Sequence, residues 1–127
     1  MNEKGQTLII FVIILPIFLF ILTLVIDLGL VQNERTKLTS VTRIIIGDVY
    51  DQIIDEEDAI KKVKELYKKN DVNTDSLIVT YQEKKLNIKI NKKVEGIIGK
   101  ITNLNLFNLE IYLTGYKEND KLIIEKG

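Results

Sequence analysis

The hydrophobic pattern divides the chain into three regimes. From Leu8 to Ile26, LIIFVIILPIFLFILTLVI, every residue except Pro16 and Thr23 is aliphatic or aromatic, and the uncharged run reaches from Gly5 to Asp27. A bilayer core about 30 Å thick needs about 20 apolar residues at about 1.5 Å each. With no polar face, this run predicts a helix that crosses a membrane. A fully buried soluble helix of this length is rare. A cleaved secretory signal has an apolar core of about 7–15 residues followed by a small-residue site. This run is longer and exits into DLGLVQNERTK. A retained span is the better reading. Pro16 has no backbone N–H, which predicts a modest kink near Val12 to Pro16.

Beyond Asp27 the pattern becomes amphipathic. Leu38, Val41, Ile45 and Val49 recur at helical spacing with Thr42, Ile46 and Ile53 beside them, while Glu34, Arg35, Lys37, Arg43 and Asp48 take other positions. The span is therefore expected to continue as an amphipathic helix to Ile54, with Gly29 and Gly47 as weak points. Asp55 to Asp58 opens a second helix, where acids complement the dipole and Asp55 can cap it. Ala59, Ile60, Val63, Leu66 and Tyr67 form its apolar face, and Asn70-Asp71 ends it.

The third regime alternates with period two. Leu77, Val79 and Tyr81, a turn at Glu83-Lys84-Lys85, then Leu86, Ile88 and Ile90 read as a half-buried hairpin. Val94 to Ile101 is a short helix or crossover. Phe107, Leu109, Ile111 and Leu113 alternate against Asn108, Glu110, Tyr112 and Thr114 as a third strand. Lys121 to Glu125 either returns as a fourth strand after a turn at Lys117 to Asp120 or stays loose. The fold class is α+β: a long transmembrane helix, its amphipathic extension, a second helix, and an antiparallel sheet of three or four strands.

Composition narrows the chemistry. Of 127 residues about 97 lie outside the span, enough for one small domain. The net charge is zero, and without Glu3, Lys4 and Asp27 the remainder holds 17 basic and 16 acidic groups. That balance gives no general attraction to nucleic acid or anionic lipid. The chain has neither His nor Cys, so it lacks the common ligands for zinc, copper and haem. No disulfide or redox compartment can be inferred.

The residues around the start of the span carry a resemblance. Lys4-Gly5-Gln6-Thr7-Leu8-Ile9-Ile10-Phe11, then VIILP, a long apolar run and Ile26-Asp27-Leu28-Gly29, resemble the TadE/TadG-like pseudopilins. The pattern A-x-x-x-V-x-E-L-Y-x-x-N, from Ala59 to Asn70, is similar too. These are minor pilin-like subunits of tight-adherence (Flp-type) pilus systems. The resemblance implies a pilin-like plan and a prepilin-peptidase cut between Gly5 and Gln6. It implies packing roles in the membrane for Ile10, Phe11, Pro16, Asp27 and Gly29. Pilins usually carry Glu at the fifth mature residue to pair with a neighbour's amino terminus, and here that residue is Ile10. The departure implies a minor, tip or accessory subunit. Counting Arg35, Lys37 and Arg43 against Lys4 would put the carboxyl side in the cytoplasm. The resemblance implies the reverse, and it is preferred because so short a tail leaves the count close.

No constellation points to catalysis. Ser40, Ser76 and the threonines have no histidine to activate them. Asp48, Asp51, Asp55, Glu56, Glu57 and Asp58 offer oxygen ligands for calcium but lack the loop spacing. Gly96-Ile97-Ile98-Gly99-Lys100 has too few residues between its glycines for a P-loop, and Ile97 and Ile98 would be wasted in a KH loop. Lys84, Lys85, Lys89, Lys92, Lys93 and Lys100 outnumber Glu83 and Glu95 in one region, with only Tyr81 near to stack a base. An ordinary solvated strand face explains it better than DNA binding.

The expected organisation is a leader at 1–5, a span at 6–31, a helical extension at 32–54 and an extracytoplasmic head at 55–127. The expected function is that of a membrane-anchored minor pseudopilin, with no enzymatic activity, cofactor, metal or small-molecule substrate. Its partners are the lipid bilayer, other pilin-like and assembly subunits, and a prepilin peptidase. The rivals are a single-pass anchored binding module outside any pilus and a competence-type pseudopilin that contacts DNA.

Overall fold

The computed structural model describes residues 3–102 and 107–127, with backbone only for Gly99, Lys100, Thr102 and Phe107. Helix α1 spans Glu3–Val49 without interruption, passing through Pro16, Gly29 and Gly47. The extension is shorter than the sequence suggests: the α-helix ends at Val49, and a 3-10 turn covers Tyr50–Gln52. Helix α2 spans Glu56–Lys69, with the Asp55 carboxylate accepting from the Asp58 N–H at 2.8 Å. At its other end the Asp71 N–H donates to the Lys68 carbonyl and the Val72 N–H to the Tyr67 carbonyl. Asp71 adopts φ 59°, completing a Schellman stop without glycine.

Strands β1 (Ile78–Gln82), β2 (Lys85–Val94), β3 (Phe107–Glu118) and β4 (Lys121–Lys126) form one antiparallel sheet in sequence order. The short helix α3, Ile97–Thr102, lies between β2 and β3. Both hairpin turns are tighter than expected from sequence. Glu83 and Lys84 have φ of 52° and 62°, and Asn119 and Asp120 have 53° and 63°. These are the positive values of a two-residue turn that matches strand twist. Lys85 therefore already belongs to β2, and Lys117 and Glu118 belong to β3. The tail does return as a fourth strand, with Leu122 opposite Lys117 and Ile124 opposite Gly115.

One face of the sheet carries the core. Leu86, Ile88, Ile90, Ile111 and Leu113 from the strands meet Leu38, Ile45, Ile46 and Val49 from α1 and Ala59, Val63 and Tyr67 from α2. Ile60, expected on the apolar face of α2, instead lies at its rim and is exposed. Gly115 admits α1 to the sheet: a Cβ there would stand 2.5 Å from the Ile46 Cγ2.

Candidate functional site

The site is α1 itself, because its two halves meet different surroundings. The lower half is bare. An 18-residue stretch has mean hydropathy 3.4, and none of it is buried by the rest of the molecule. Ile10, Phe11 and Pro16 all face outward on this surface, and Gln6 is exposed beside the half-buried Gly5. The hydroxyls of this half are met within the helix. Thr7 donates to the Glu3 carbonyl at 2.9 Å and Thr23 to the Leu19 carbonyl at 2.8 Å. A backbone and side chains satisfied internally are what a helix in hydrocarbon requires.

Asp27 is the first buried residue of α1. Its carboxylate is fully buried and accepts from the Ile97 N–H at 2.7 Å and the Ile98 N–H at 3.1 Å, at the start of α3. Gly96 makes this approach possible, since a Cβ there would overlap the carboxylate. The resemblance implied membrane packing for Asp27, and the pattern a short helix or crossover for the Gly96 segment; the fold brings the two together. Gly29, two residues further on, is exposed, with nothing within 4 Å of where its Cβ would lie.

Above Asp27 the head grips one face of the helix. Glu34 and Lys92 meet at 2.6 Å, and this hydrogen bond holds the Glu34 carboxyl below its usual range. Thr42 and Tyr67 share a buried hydrogen bond of 2.5 Å. The Thr42 hydroxyl already donates to the Leu38 carbonyl at 2.8 Å, so Tyr67 is the donor. Burial pushes the Tyr67 hydroxyl up to about 12, with the Thr42 hydrogen bond acting the other way. The Tyr50 hydroxyl donates to the Lys84 carbonyl at 2.6 Å, and Lys117 pairs with Asp51 at 2.5 Å. These contacts set β2 antiparallel to α1. Glu34 to Tyr50 is about 24 Å of helix, and Lys84 to Lys92 about 26 Å of strand. The hairpin turn is therefore the end farthest from the span, and α3 is the nearest.

Several of the charged groups singled out in the sequence are used within the fold. Asp55 caps α2, Asp58 accepts from the Ile54 N–H and pairs with Lys62 at 3.0 Å, and Asp51 holds Lys117. Among the described residues no three His, Cys, Asp or Glu side chains are grouped to hold a metal. The basic hairpin is dispersed. Lys89 faces Glu110 at 3.4 Å, Lys92 faces Glu34, and Lys85 stands over the Tyr116 ring. Ser76 is tied to the Asn91 backbone at 2.7 Å. In the glycine segment Ile98 is buried while Ile97 is exposed, and the Lys100 side chain lies outside the described residues.

The single bare helix below the α+β head is long and apolar enough to cross a membrane, which is consistent with a membrane anchor. Residues 5–45 match the family model of the TadE-like proteins. The match begins at Gly5 and stops within α1, so α2 with its A-x-x-x-V-x-E-L-Y-x-x-N pattern and the whole sheet lie beyond it. Neither a curated protein nor a solved structure matches the chain significantly.

Proposed function

We propose that the chain is a minor pseudopilin of a tight-adherence-like pilus or secretion fibre. A prepilin peptidase cuts it between Gly5 and Gln6, α1 holds it in the membrane through Leu8 to Ile26, and the head stands on the extracytoplasmic side. The observation that carries this reading is the division of α1, bare and apolar below Asp27 and built into the head above it, under a TadE-like match that starts at Gly5. Pilin-like subunits need that division, since the lower half packs among subunits or lipid while the head makes outward contacts. Ile10 fits a subunit present in few copies. It is neutral in hydrocarbon, whereas a glutamate there would need a neighbour's charge beside it.

Mass spectrometry of the membrane fraction tests the processing step. In cells with an active prepilin peptidase the mature amino terminus should be Gln6, and Gly5→Val should abolish the cut. An intact peptide running from Lys4 through Phe11 in those cells would instead leave a plain anchored module. Orientation has its own measurement. Asn73→Cys and Asn119→Cys should react with an impermeant thiol reagent in whole cells, and labelling only after lysis would place the head in the cytoplasm.

A further inference from the structure

Two isoleucines on α3 expose side-chain surface where the apolar run ends. Ile98 points inward at 8% exposure, whereas Ile97 is 38% and Ile101 75% exposed. Four residues apart, they share one face of the helix. The Asp27 carboxylate holds the start of α3 against α1 one residue beyond Ile26, where the uncharged run ends. With Leu8 to Ile26 filling the hydrocarbon, α3 lies at the level of the bilayer's interfacial layer. There an apolar face on a short helix is covered by acyl chains and headgroups rather than by water.

We propose that α3 is a lipid-contacting foot, through which Ile97 and Ile101 seat the head on the membrane surface. It rests on the reading of Leu8 to Ile26 as a span. The Asp27 hydrogen bonds fix its height, and Gly96 lets it pack closely enough to be fixed. The head is then held to the membrane at two places, the span and the foot, so it cannot swing freely about α1. Leaving the bilayer would require pulling both isoleucines out of lipid.

The chain has no cysteine, so single substitutions give clean reporters. The full chain carrying Ile101→Cys, Ile97→Cys, Phe18→Cys or Asn119→Cys, each labelled with a polarity-sensitive fluorophore, is reconstituted in phosphatidylcholine vesicles. Quenching by aqueous iodide is compared with quenching by lipids brominated near the headgroup. Labels at positions 97 and 101 should be quenched by the brominated lipid and be about threefold less open to iodide than the label at 119. Iodide access at 97 and 101 equal to that at 119 would overturn the foot. Protection from both quenchers would overturn it too, because protein would then cover the face. The label at 18 separates the two readings. Lipid quenching there without any at 97 or 101 leaves the span standing and removes the foot, while iodide access at 18 removes both.

Discussion

The two halves of α1 are equally helical and differ in what surrounds them. Between Leu8 and Ile26 all the large apolar side chains but the half-buried Leu24 are exposed, Ile13 among them at 59%. Between Leu38 and Val49 one face is sealed, with Ile45 at 1% and Ile46 at 0%. Hydrophobicity alone therefore does not decide burial in this chain. The lower half offers no polar face and gathers no protein partner, whereas the upper half keeps charges on one side and a sheet on the other. The same residue type should have opposite importance for the head's stability depending on which half it occupies.

That contrast yields the largest expected effect. Ile45→Ala leaves a hole among α1, α2 and the sheet and should cost the head about 2–5 kcal/mol. Ile13→Ala removes the same atoms from a surface that the head never touches and should shift unfolding by less than about 0.5 kcal/mol. Urea unfolding in detergent micelles, followed by the near-ultraviolet signal of the tyrosines, compares them directly. Equal losses would mean that the lower half also packs on the head.

A second test exploits the Tyr67 phenol, which α2 buries against Thr42 of the sealed half. The folded pKa of Tyr67 lies above the unfolded value, so its contribution is complete below pH 10 and is lost as the pH rises toward about 12. Ionisation would remove the proton that Tyr67 donates to Thr42, in surroundings that disfavour charge. Stability should fall by about 2–3 kcal/mol across that window. Tyr67→Phe should remove this component, leaving the slope set by exposed lysines and tyrosines. Its own cost near neutral pH should be about 1 kcal/mol, since Thr42 keeps its bond to Leu38. An unchanged alkaline slope in Tyr67→Phe would place the titrating group elsewhere.

The two halves were not equally legible in the sequence, and neither were the strands and the turns. The lower half announces itself by the absence of charge. The upper half shows its buried face through Leu38, Thr42, Ile45 and Val49, and the strands through strict alternation. Glu83-Lys84 carries none of the usual Asn-Gly turn chemistry, so the two-residue turn is set by the pairing of β1 with β2 rather than by local preference. Ile60 shows the limit of periodicity, which places a residue on a face without telling how far the neighbouring element covers it. The Asp27 contact was not readable at all. Its partners are backbone N–H groups in a helix about 70 residues away, which leave no signature in residue type. The only trace was Gly96, and a glycine beside two isoleucines has many ordinary explanations.

The boundary between the halves gives the smallest and most specific prediction. Gly96→Ala drives a methyl group into the Asp27 carboxylate, so the carboxylate must move and loosen its two hydrogen bonds. Asp27→Ala removes the acceptor and leaves two N–H groups at α3 unmet, which should cost about 1–3 kcal/mol. Each change damages the same contact, so their effects should not add. With Asp27 shortened to Ala, the new methyl group at position 96 no longer meets the carboxylate that it would overlap. The double variant should be less destabilised than the sum of the singles by about 1 kcal/mol. The Ile45→Ala cost should be the same in either background, because that site lies well up the helix from the junction. Strict additivity between Gly96→Ala and Asp27→Ala would show that the two residues act separately, and the point where α1 passes from bare to covered would then be set by the Glu34–Lys92 pair above it.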